Sequence, residues 1–492
     1  MRKSGATSAG PSVLLDLISL AGKEGGPQYQ QLYRQMHALI LRRILKPRAS
    51  LPSTRALAAD LGIARNTVIA VYEQLEAEGY IETRHGARAR VADLPLGEQP
   101  KAAARFPSMA ESLSTRGRVL LDQTHRQSPA RQTLFQPGLP DVKHFPFAAW
   151  RRLLARRLRP SADDIFGYHS FTGYAPLRMA IANYLEAARG VRCAPEQVIV
   201  TTGAQGALDL LARLFLDPGD EVLLEEPGYT GAQGAFLAAG ARLLPLPVDE
   251  TGWHVPDIMK GRPRLIYLTP SCQFPLGLTM RMEQRLKLIE FAEAANAWII
   301  EDDFDSEYRF TNQPVPAMQG ADRNNRTIYV GTFAKTLFPS LRIGFMVLPR
   351  ALDERMNKAL FLTAKTAPLV LQAALADFIE LGHFAKHLRR MKRIYGARRA
   401  SFVELVQDEL GEWLTPIDGK AGLQTVWKLR KGLKDKRIAD LAREASFGVT
   451  PLSEHYHHGP GLQGLILGYA TVETAAVPRG LARLKAVLRK AG

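Results

Sequence analysis

Short apolar segments alternate with helical stretches over most of the chain after residue 133, and this alternation limits the possible folds more than any other feature. Continuous apolar strands separated by helices are typical of a mostly parallel sheet with helices on both faces. We therefore predict an α/β fold for this region. The predicted elements are strands at Gln197–Thr201, Glu221–Glu225, Leu265–Leu268, Trp298–Glu301, Ile328–Val330 and Phe345–Leu348, and helices that include Ala204–Leu216 and Glu283–Asn296.

The chain has 492 residues, 46% of them hydrophobic, which predicts more than one domain and a large core. Residues 27–92 combine helix signals with a short basic hairpin. Residues 93–133 are rich in Pro, Ala, Ser, Arg and Gln without sustained periodicity, and residues 134–490 hold the α/β pattern. We interpret the middle region as a linker between two domains.

Composition also excludes several classes of protein. The two cysteines, Cys193 and Cys272, have no neighbours at ligand spacing, so we expect neither a disulfide framework nor a zinc site. No apolar run reaches the roughly 18 residues that span a bilayer, and the first residues lack the order of a signal peptide. We expect a cytoplasmic protein with no metal and no membrane partner.

The formal net charge is +17, and residues 1–92 carry 13 Lys and Arg against 7 Asp and Glu. Such an excess on a small module favours phosphate-rich partners and salt-dependent binding. On charge alone, a basic protein that is merely well solvated fits equally well.

Three helix patterns fill the amino-terminal region. The first buries a stripe at helical spacing; its members are Tyr29, Leu32, Tyr33, Met36, Leu39, Ile40 and Ile44. The second follows Ser53, whose hydroxyl can cap it, and ends at Gly62 after burying Leu57 and Leu61. The third runs from Arg65 to Glu78 and buries Val68, Val71, Tyr72 and Leu75.

A helix, a turn and a second helix at this spacing place the start of the last helix in the major groove of DNA. Arginine and asparagine there can form paired hydrogen bonds with guanine and adenine. The expected base-reading residues are Arg65, Asn66 and Thr67. Tyr80–Val91 alternates like a two-stranded wing, whose His85 and Arg88 would touch the minor groove or the phosphates. The alternative is a three-helix protein-binding module with solvated arginines.

The stretch LPSTRALAADLGIARNTVIAVYEQLEAEGYIE closely resembles the winged helix of GntR-family bacterial transcription regulators, and the match covers Gln28–Val91. The resemblance implies a DNA-binding domain in which Ser53 and Arg55 join the contact residues. Two departures stand out. Ala64 replaces the family's usual serine, so the recognition helix loses its customary cap, and the wing reads RHGARARV instead of RPGSGTFV, which implies stronger phosphate contact.

Lys335 follows an apolar strand in the stretch TFAKTLFPSLRIG, seven residues before Arg342. A partly desolvated lysine near another cation has a lowered pKa and a usable neutral amine, as a Schiff base with pyridoxal phosphate requires. Arg342 would supply that cation and bind the cofactor phosphate. For an isolated lysine, a solvated surface position is the usual alternative.

The other parts of a pyridoxal phosphate site also have candidates near strand ends, where ligands bind in such sheets. A buried carboxylate keeps the ring nitrogen protonated; Asp302 in AWIIEDDFDSEY is our choice, with Asp303 as the alternative. Backbone amides at a helix start can hold the phosphate. The remaining candidates are Gly203, Ala204 and Gln205 for this phosphate cup, Thr332 for a hydroxyl and Tyr229 for stacking on the ring.

The stretches FGYHSFTGYAPLR, TPSCQFPLG and EDDFDSEYRF resemble fold type I aminotransferases, and the whole order resembles the MocR subfamily of GntR regulators. The resemblance implies a mostly parallel sheet with a smaller carboxyl-terminal α+β subdomain. It also implies a homodimer, in related proteins head-to-tail, that binds double-stranded DNA, holds pyridoxal phosphate and senses a small-molecule effector. Tyr168 matches a tyrosine that reaches the cofactor phosphate across the dimer interface.

Four positions depart from that pattern. Ile466 and Gly231 stand where relatives have arginines that hold a substrate carboxylate. Phe304 replaces a tyrosine near the ring hydroxyl, and Cys272 replaces a histidine. The replacements favour sensing over transamination, with an amine, an amino acid or pyridoxal phosphate itself as effector. The alternatives are a working aminotransferase that carries a DNA-binding domain and a scaffold that has lost its cofactor.

Overall fold

The computed structural model describes residues 18–20, 26–84, 87–94, 112–122, 134–159, 165–167, 171–255, 261–310, 315–363, 366–445 and 447–492. The chain forms two compact units, Met1–Glu111 and Ser112–Gly492, which we call the head and the body. Their boundary falls inside the predicted linker, and the limits 27–92, 93–133 and 134–490 stay predictions. Among the described residues, no helix combines the length and apolarity needed to cross a membrane.

The head is built from three helices and a small sheet, namely α1 (Gln28–Leu41), α2 (Thr54–Leu61), α3 (Arg65–Ala77), β1 (Ile81–Glu82) and β2 (Arg90–Val91). Its core contains most of the predicted stripes, including Leu32, Met36, Leu57, Val68, Val71 and Leu75. Ile44 is a correction: it lies beyond the end of α1 and is 45% exposed. A turn starting at Arg42 ends the helix before the stripe is complete.

A third segment joins the wing, and the sequence pattern did not indicate it. The amides of Arg48 and Leu51 donate to the carbonyls of Val91 and Ala89 at 2.9 and 2.8 Å, and Val91 donates to Ala49 at 3.0 Å. Residues 48–51 therefore run beside β2 and lead directly into α2. This pairing fixes the wing against the start of the helix that precedes the recognition helix.

The body contains an eight-stranded sheet in the order β3-β10-β9-β8-β7-β4-β5-β6. Its strands are β3 (Val198–Thr201), β4 (Glu221–Glu226), β5 (Arg242–Asp249), β6 (Gly252–Trp253), β7 (Leu265–Leu268), β8 (Trp298–Asp303), β9 (Thr327–Thr332) and β10 (Gly344–Val347). The neighbours from β9 to β5 are parallel, whereas β10 is antiparallel to both of its neighbours and β6 is antiparallel to β5. The prediction of a mostly parallel sheet is confirmed.

Both faces of this sheet are covered. Val198 and Val200 belong to one core and Ile199, between them, to another, because successive strand residues point to opposite faces. The helices of this region are α4 (Thr115–Asp122), α5 (Phe147–Arg157), α6 (Ala175–Arg189), α7 (Ala204–Phe215), α8 (Thr230–Ala239), α9 (Met282–Ala295), α10 (Arg350–Thr363), α11 (Leu369–Glu380) and α12 (His383–Leu410). Helix α4 lies within the predicted linker, where composition gave no periodic signal.

A smaller antiparallel sheet completes the body, in the order β11-β12-β14-β13. Its elements are β11 (Leu414–Ile417), β12 (Gln424–Leu429), α13 (Asp435–Glu444), β13 (Thr450–Pro451), β14 (Gly464–Gly468) and α14 (Val477–Ala491). The sheet packs with α12 and α14 around Trp427 and Phe402, which are almost completely buried. This is the smaller α+β subdomain that the resemblance implied.

Candidate functional site

The ends of three strands in the large sheet meet in one row. Gly344, the first residue of β10, pairs with Thr201 on one side and with Thr332 on the other. Two residues beyond Thr201 lies Gly203, and three residues beyond Thr332 lies Lys335. The register of the sheet therefore brings the predicted phosphate cup and the predicted Schiff-base lysine to the same edge.

Lys335 is partly buried, and its Nζ donates a hydrogen bond to the carbonyl of Gly138 at 2.6 Å. Burial lowers the pKa of this amine, while the carboxylates of Asp305 and Asp302 oppose that shift. A lowered pKa favours the neutral amine, the form that attacks an aldehyde. Sequence reasoning did not single out Gly138, because a backbone carbonyl carries no side-chain signal.

Asp302 lies in β8 and is 3% exposed. Its Oδ2 accepts a hydrogen bond from Tyr267 Oη at 2.7 Å, and its Oδ1 is buried without a hydrogen-bond partner among the described residues. Burial raises the pKa of Asp302 to about 7, against the hydrogen bond from Tyr267. A protonated ring nitrogen suits this oxygen, because it would supply both a donor and a positive charge.

The alternative carboxylate, Asp303, is used differently. Its Oδ2 accepts from Arg189 Nε at 2.8 Å and from Tyr329 Oη at 2.5 Å, and the ion pair with Arg189 is buried. The guanidinium already balances the charge of Asp303, whereas the described residues give Asp302 no such partner. This contrast supports Asp302 as the carboxylate for the ring nitrogen.

The phosphate cup forms where β3 turns into α7. Gly203 caps the helix at φ 85° and ψ 174°, a conformation that residues with a side chain rarely adopt. The amides of Ala204 and Gln205 follow at the start of α7. Gly344 lies so close that a Cβ there would be 2.6 Å from the carbonyl carbon of Gly203. The turn therefore depends on two glycines, of which sequence reasoning named one.

Two further phosphate candidates flank Lys335. Thr332 Oγ1 accepts from the amide of Ala334 at 3.1 Å, which orients the hydroxyl at the end of β9. Arg342 is exposed in a left-handed conformation, φ 53°. No hydrogen bond or salt bridge to another described residue occupies its guanidinium. An exposed guanidinium at the site edge is suited to hold a phosphate.

Tyr229 precedes α8 and supplies the aromatic wall of the site. Its Oη donates to Gln205 Oε1 at 3.2 Å, linking the wall to the phosphate cup. Burial and the charge of Asp302 raise the pKa of Tyr229 to about 12, while the charge of Arg342 acts in the opposite direction. The ring of Phe274 meets Tyr229, Phe304 and His455 edge-on at 5.6, 5.7 and 5.2 Å. Sequence reasoning missed Phe274, Tyr267 and His455.

Neither of the two positions at which the resemblance implied an arginine supplies a carboxylate clamp. Ile466 lies in β14, is 1% exposed and packs in the core between the two sheets of the body. A Cβ on Gly231 would come within 2.4 Å of both Gln205 Oε1 and the Tyr229 ring. A large side chain at Gly231 would therefore require both neighbours to move.

In the head, the predicted DNA-contacting side chains lie mostly on the surface. Arg55, Arg65, Asn66 and Arg88 are exposed, and Thr67 is half-buried. Ser53 Oγ caps α2 by accepting from the amide of Ala56 at 3.2 Å, as predicted, whereas Ala64 leaves α3 without a side-chain cap. His85 and Tyr168 lie outside the described residues, as does Gly86 at the wing tip.

In a comparison with known proteins, the head and the body match two different protein families. The profile of bacterial regulatory proteins of the gntR family matches residues 28–91, and the profile of aminotransferase class I and II matches residues 137–484. The probable rhizopine catabolism regulatory protein MocR of Rhizobium meliloti is 49% identical over 459 residues, which cover 93% of each chain. The pyridoxine biosynthesis transcriptional regulator PdxR of Corynebacterium glutamicum is 32% identical over 90% of this chain and 91% of its own.

A solved structure resembles the body. LysN, an α-aminoadipate aminotransferase of Thermus thermophilus complexed with N-(5′-phosphopyridoxyl)-L-leucine, matches with a TM-score of 0.66 and 31% identity. The match covers 77% of this chain and 95% of that one. The fold, the geometry of the site and these relatives assign pyridoxal phosphate as the cofactor. The chain belongs to the MocR subfamily of GntR-family transcription regulators, in which a winged helix-turn-helix is joined to an aminotransferase-like domain.

Proposed function

We propose that the body of this regulator holds pyridoxal phosphate on Lys335 and senses a small effector there, and that the head carries the result to double-stranded DNA. The observation that carries the proposal is the unpaired, buried Oδ1 of Asp302, a β8 residue with no arginine partner among the described residues, on the same sheet edge as the amine of Lys335. An unsatisfied buried oxygen is costly unless a ligand completes it. The protonated ring nitrogen of pyridoxal phosphate would do so.

Each residue of the site has a role in holding this cofactor. Gly203, with the amides of Ala204 and Gln205, binds the phosphate together with Arg342 and Thr332. Tyr229 stacks on the ring, and Asp302, held by Tyr267, keeps the ring nitrogen protonated. When bound, pyridoxal phosphate supplies an electrophilic aldehyde carbon and an electron-withdrawing ring.

The class of effector follows from what the pocket lacks. A bidentate arginine is the usual clamp for a carboxylate, and Ile466 and Gly231 exclude it at the two expected positions. We infer that the effector is an amine without a carboxylate, or pyridoxal phosphate itself. The name of the Corynebacterium relative, a regulator of pyridoxine biosynthesis, supports the second choice.

The resemblance also leads us to propose a cytoplasmic homodimer, with heads and bodies in a head-to-tail arrangement. Tyr168 of one chain would then complete the phosphate site of its partner. A dimer presents two heads, as two half-sites on an operator require.

Absorption spectroscopy of the purified protein tests the proposal. We expect visible absorption that borohydride changes irreversibly, because reduction fixes the cofactor to an amine. The variant Lys335→Ala should lose this covalent attachment, and the exposed Lys431→Ala should retain it. A wild-type protein that stays colourless when supplied with pyridoxal phosphate would contradict the proposal.

A second assay separates the regulator from an enzyme. With an amino donor and a keto acceptor, a regulator should change its spectrum once and shift its DNA affinity. Many turnovers per site, without a change in DNA affinity, would instead identify a working aminotransferase that carries a DNA-binding domain. Affinities measured across amines, amino acids and free pyridoxal phosphate then name the effector. Tight exchange with ordinary α-amino acids would contradict the inferred effector class.

A further inference from the structure

The first three-quarters of helix α12 are strongly basic. From His383 to Val403 the sequence HFAKHLRRMKRIYGARRASFV contains seven lysines and arginines and no acidic residue. More than half of the net charge of +17 lies outside residues 1–92, where 13 basic residues face 7 acidic ones. The body is therefore basic in its own right, which a pocket for a small effector does not require.

The seven basic residues divide into two groups. Arg398 and Arg399 are half-buried and serve the fold: Arg398 pairs with Asp141 at 2.8 Å, and Arg399 lies over the ring of Phe310. The other five are exposed, and we call them the α12 stripe. They are Lys386, Arg389, Arg390, Lys392 and Arg393.

The α12 stripe forms one continuous face. Its members lie opposite the buried residues Phe384, His387, Met391 and Tyr395 of the same helix. Among the described residues, no carboxylate pairs with any of the five, and the one polar contact is from Arg390 Nη2 to His144 Nδ1 at 3.3 Å. Like charges at these three- and four-residue spacings repel each other and destabilise an isolated helix. Because no interaction within the described residues offsets this repulsion, the α12 stripe is better explained by binding to a partner than by a role in folding.

We infer that the α12 stripe binds the phosphate backbone of double-stranded DNA, as a contact of the body beyond the sequence read by the head. Lys386 to Arg393 cover about 10 Å along the helix axis, and with their long side chains they can reach roughly two or three successive phosphates of one DNA strand. Exposed lysine and arginine without base-reading geometry supply affinity without sequence preference. DNA is the favoured polyanion because the head holds it in the same chain, which raises its effective concentration near the body.

Two duplexes test the inference with the full-length protein. The first is a duplex of about 20 base pairs, selected in vitro for binding to this protein and long enough for two half-sites one turn apart. The second duplex is about 60 base pairs long and carries the selected sequence of about 20 base pairs, which we call the core site, at its centre. The stripe variant is Lys386→Gln/Arg389→Gln/Arg393→Gln. The matched control, Arg479→Gln/Arg489→Gln/Lys490→Gln, removes the same charge from exposed positions of α14.

We expect the wild type to bind the long duplex, of about 60 base pairs, more tightly than the short duplex of about 20 base pairs. Its affinity for the long duplex should also fall more steeply as the salt concentration rises. The stripe variant should lose this advantage, and its salt slope on the long duplex should decrease by about 2 to 3, since each phosphate contact contributes about 0.9. Binding to the core should stay unchanged. The control variant should behave as the wild type on both duplexes.

Three results would overturn the inference. One is equal affinity of the wild type for both duplexes, and another is an equal loss in the stripe and control variants. The third is binding of the wild type to phosphatidylserine vesicles that the stripe variant loses while its DNA binding is unchanged. Cofactor absorption and core binding report the proposed function separately, so its failure is distinguishable from failure of this contact.

Discussion

Asp302 carries a pH dependence that can be measured before any effector is known. Burial raises its pKa from 3.8 to about 7, so the folded chain prefers the protonated acid. Its contribution to stability is therefore complete below about pH 4 and is lost as the pH rises to about 7. In protein freed of cofactor, we expect the wild type to lose about 2 to 3 kcal/mol more than Asp302→Asn between pH 5 and pH 8.

Chemical denaturation of both proteins at the two pH values measures this difference. The free energy of unfolding of Asp418→Asn, a position with a 78% exposed side chain, should follow the wild type. Identical pH profiles for the wild type and Asp302→Asn would show that this carboxyl is not destabilised by burial. The same variant should also bind pyridoxal phosphate more weakly, because an amide cannot balance the charge of the protonated ring.

The residues of the site differ in how far the sequence reveals them. Lys335 and Asp302 follow apolar strands and carry the chemistry in their own side chains, so position and residue type together suffice to predict them. Tyr267 lies inside an apolar strand, where an aromatic residue indicates only a core position. Its hydrogen bond to Asp302 depends on the pairing of β7 with β8, which local pattern does not encode.

At the scale of elements, the turn from β3 into α7 requires glycine at position 203, and this requirement can be tested. Gly203 and Gly219 both have positive φ, 85° and 96°, and both have room for a Cβ. Replacing either by alanine should therefore cost a similar amount of stability through backbone strain, about 1 to 3 kcal/mol. Only Gly203→Ala should also weaken the binding of pyridoxal phosphate, because only that turn presents amides to the phosphate.

Cofactor titration followed by absorption, together with unfolding of both variants, separates the two effects. Gly219→Ala is the matched control, since it lies in the turn before β4 and not at the cofactor site. If both variants bind the cofactor with wild-type affinity, the assignment of the cup is wrong.

Helices and strands could be predicted where a pattern of neighbouring residues is enough to identify them. The predicted strands of the large sheet lie within two residues of the observed ones, because buried strands are continuous apolar runs. The antiparallel direction of β10 and the pairing of residues 48–51 with β2 were not predicted. Both depend on partners that are distant in sequence, and strand pairing of that kind leaves little trace in composition.

At the scale of the whole molecule, the proposed coupling must work in both directions. If pyridoxal phosphate or another effector changes DNA affinity by some factor, DNA must change effector affinity by the same factor. We expect equal factors when effector binding is titrated with and without the selected duplex, and when DNA binding is titrated with and without effector. Typical couplings of this kind correspond to about 5- to 150-fold.

A variant that keeps DNA binding and loses the coupling is the useful control. Lys335→Ala should retain DNA binding through the head and lose the effect of the cofactor on it. In the wild type, the factor by which effector changes DNA affinity should equal the factor by which DNA changes effector affinity. A difference between these two factors would show that the two titrations do not report one equilibrium. Factors of one in both directions would contradict regulation through this site.

Leu134 and Phe135 tie the segment that precedes α5 to the smaller sheet of the body. The carbonyls of Leu134 and Phe135 accept from Gly448 and Gly468 at 2.9 and 2.8 Å, and the Phe135 ring is fully buried beside Gly480 of α14. A body expressed without its head must retain Leu134 and Phe135, because removal of the Phe135 ring would leave a cavity in the core around the smaller sheet.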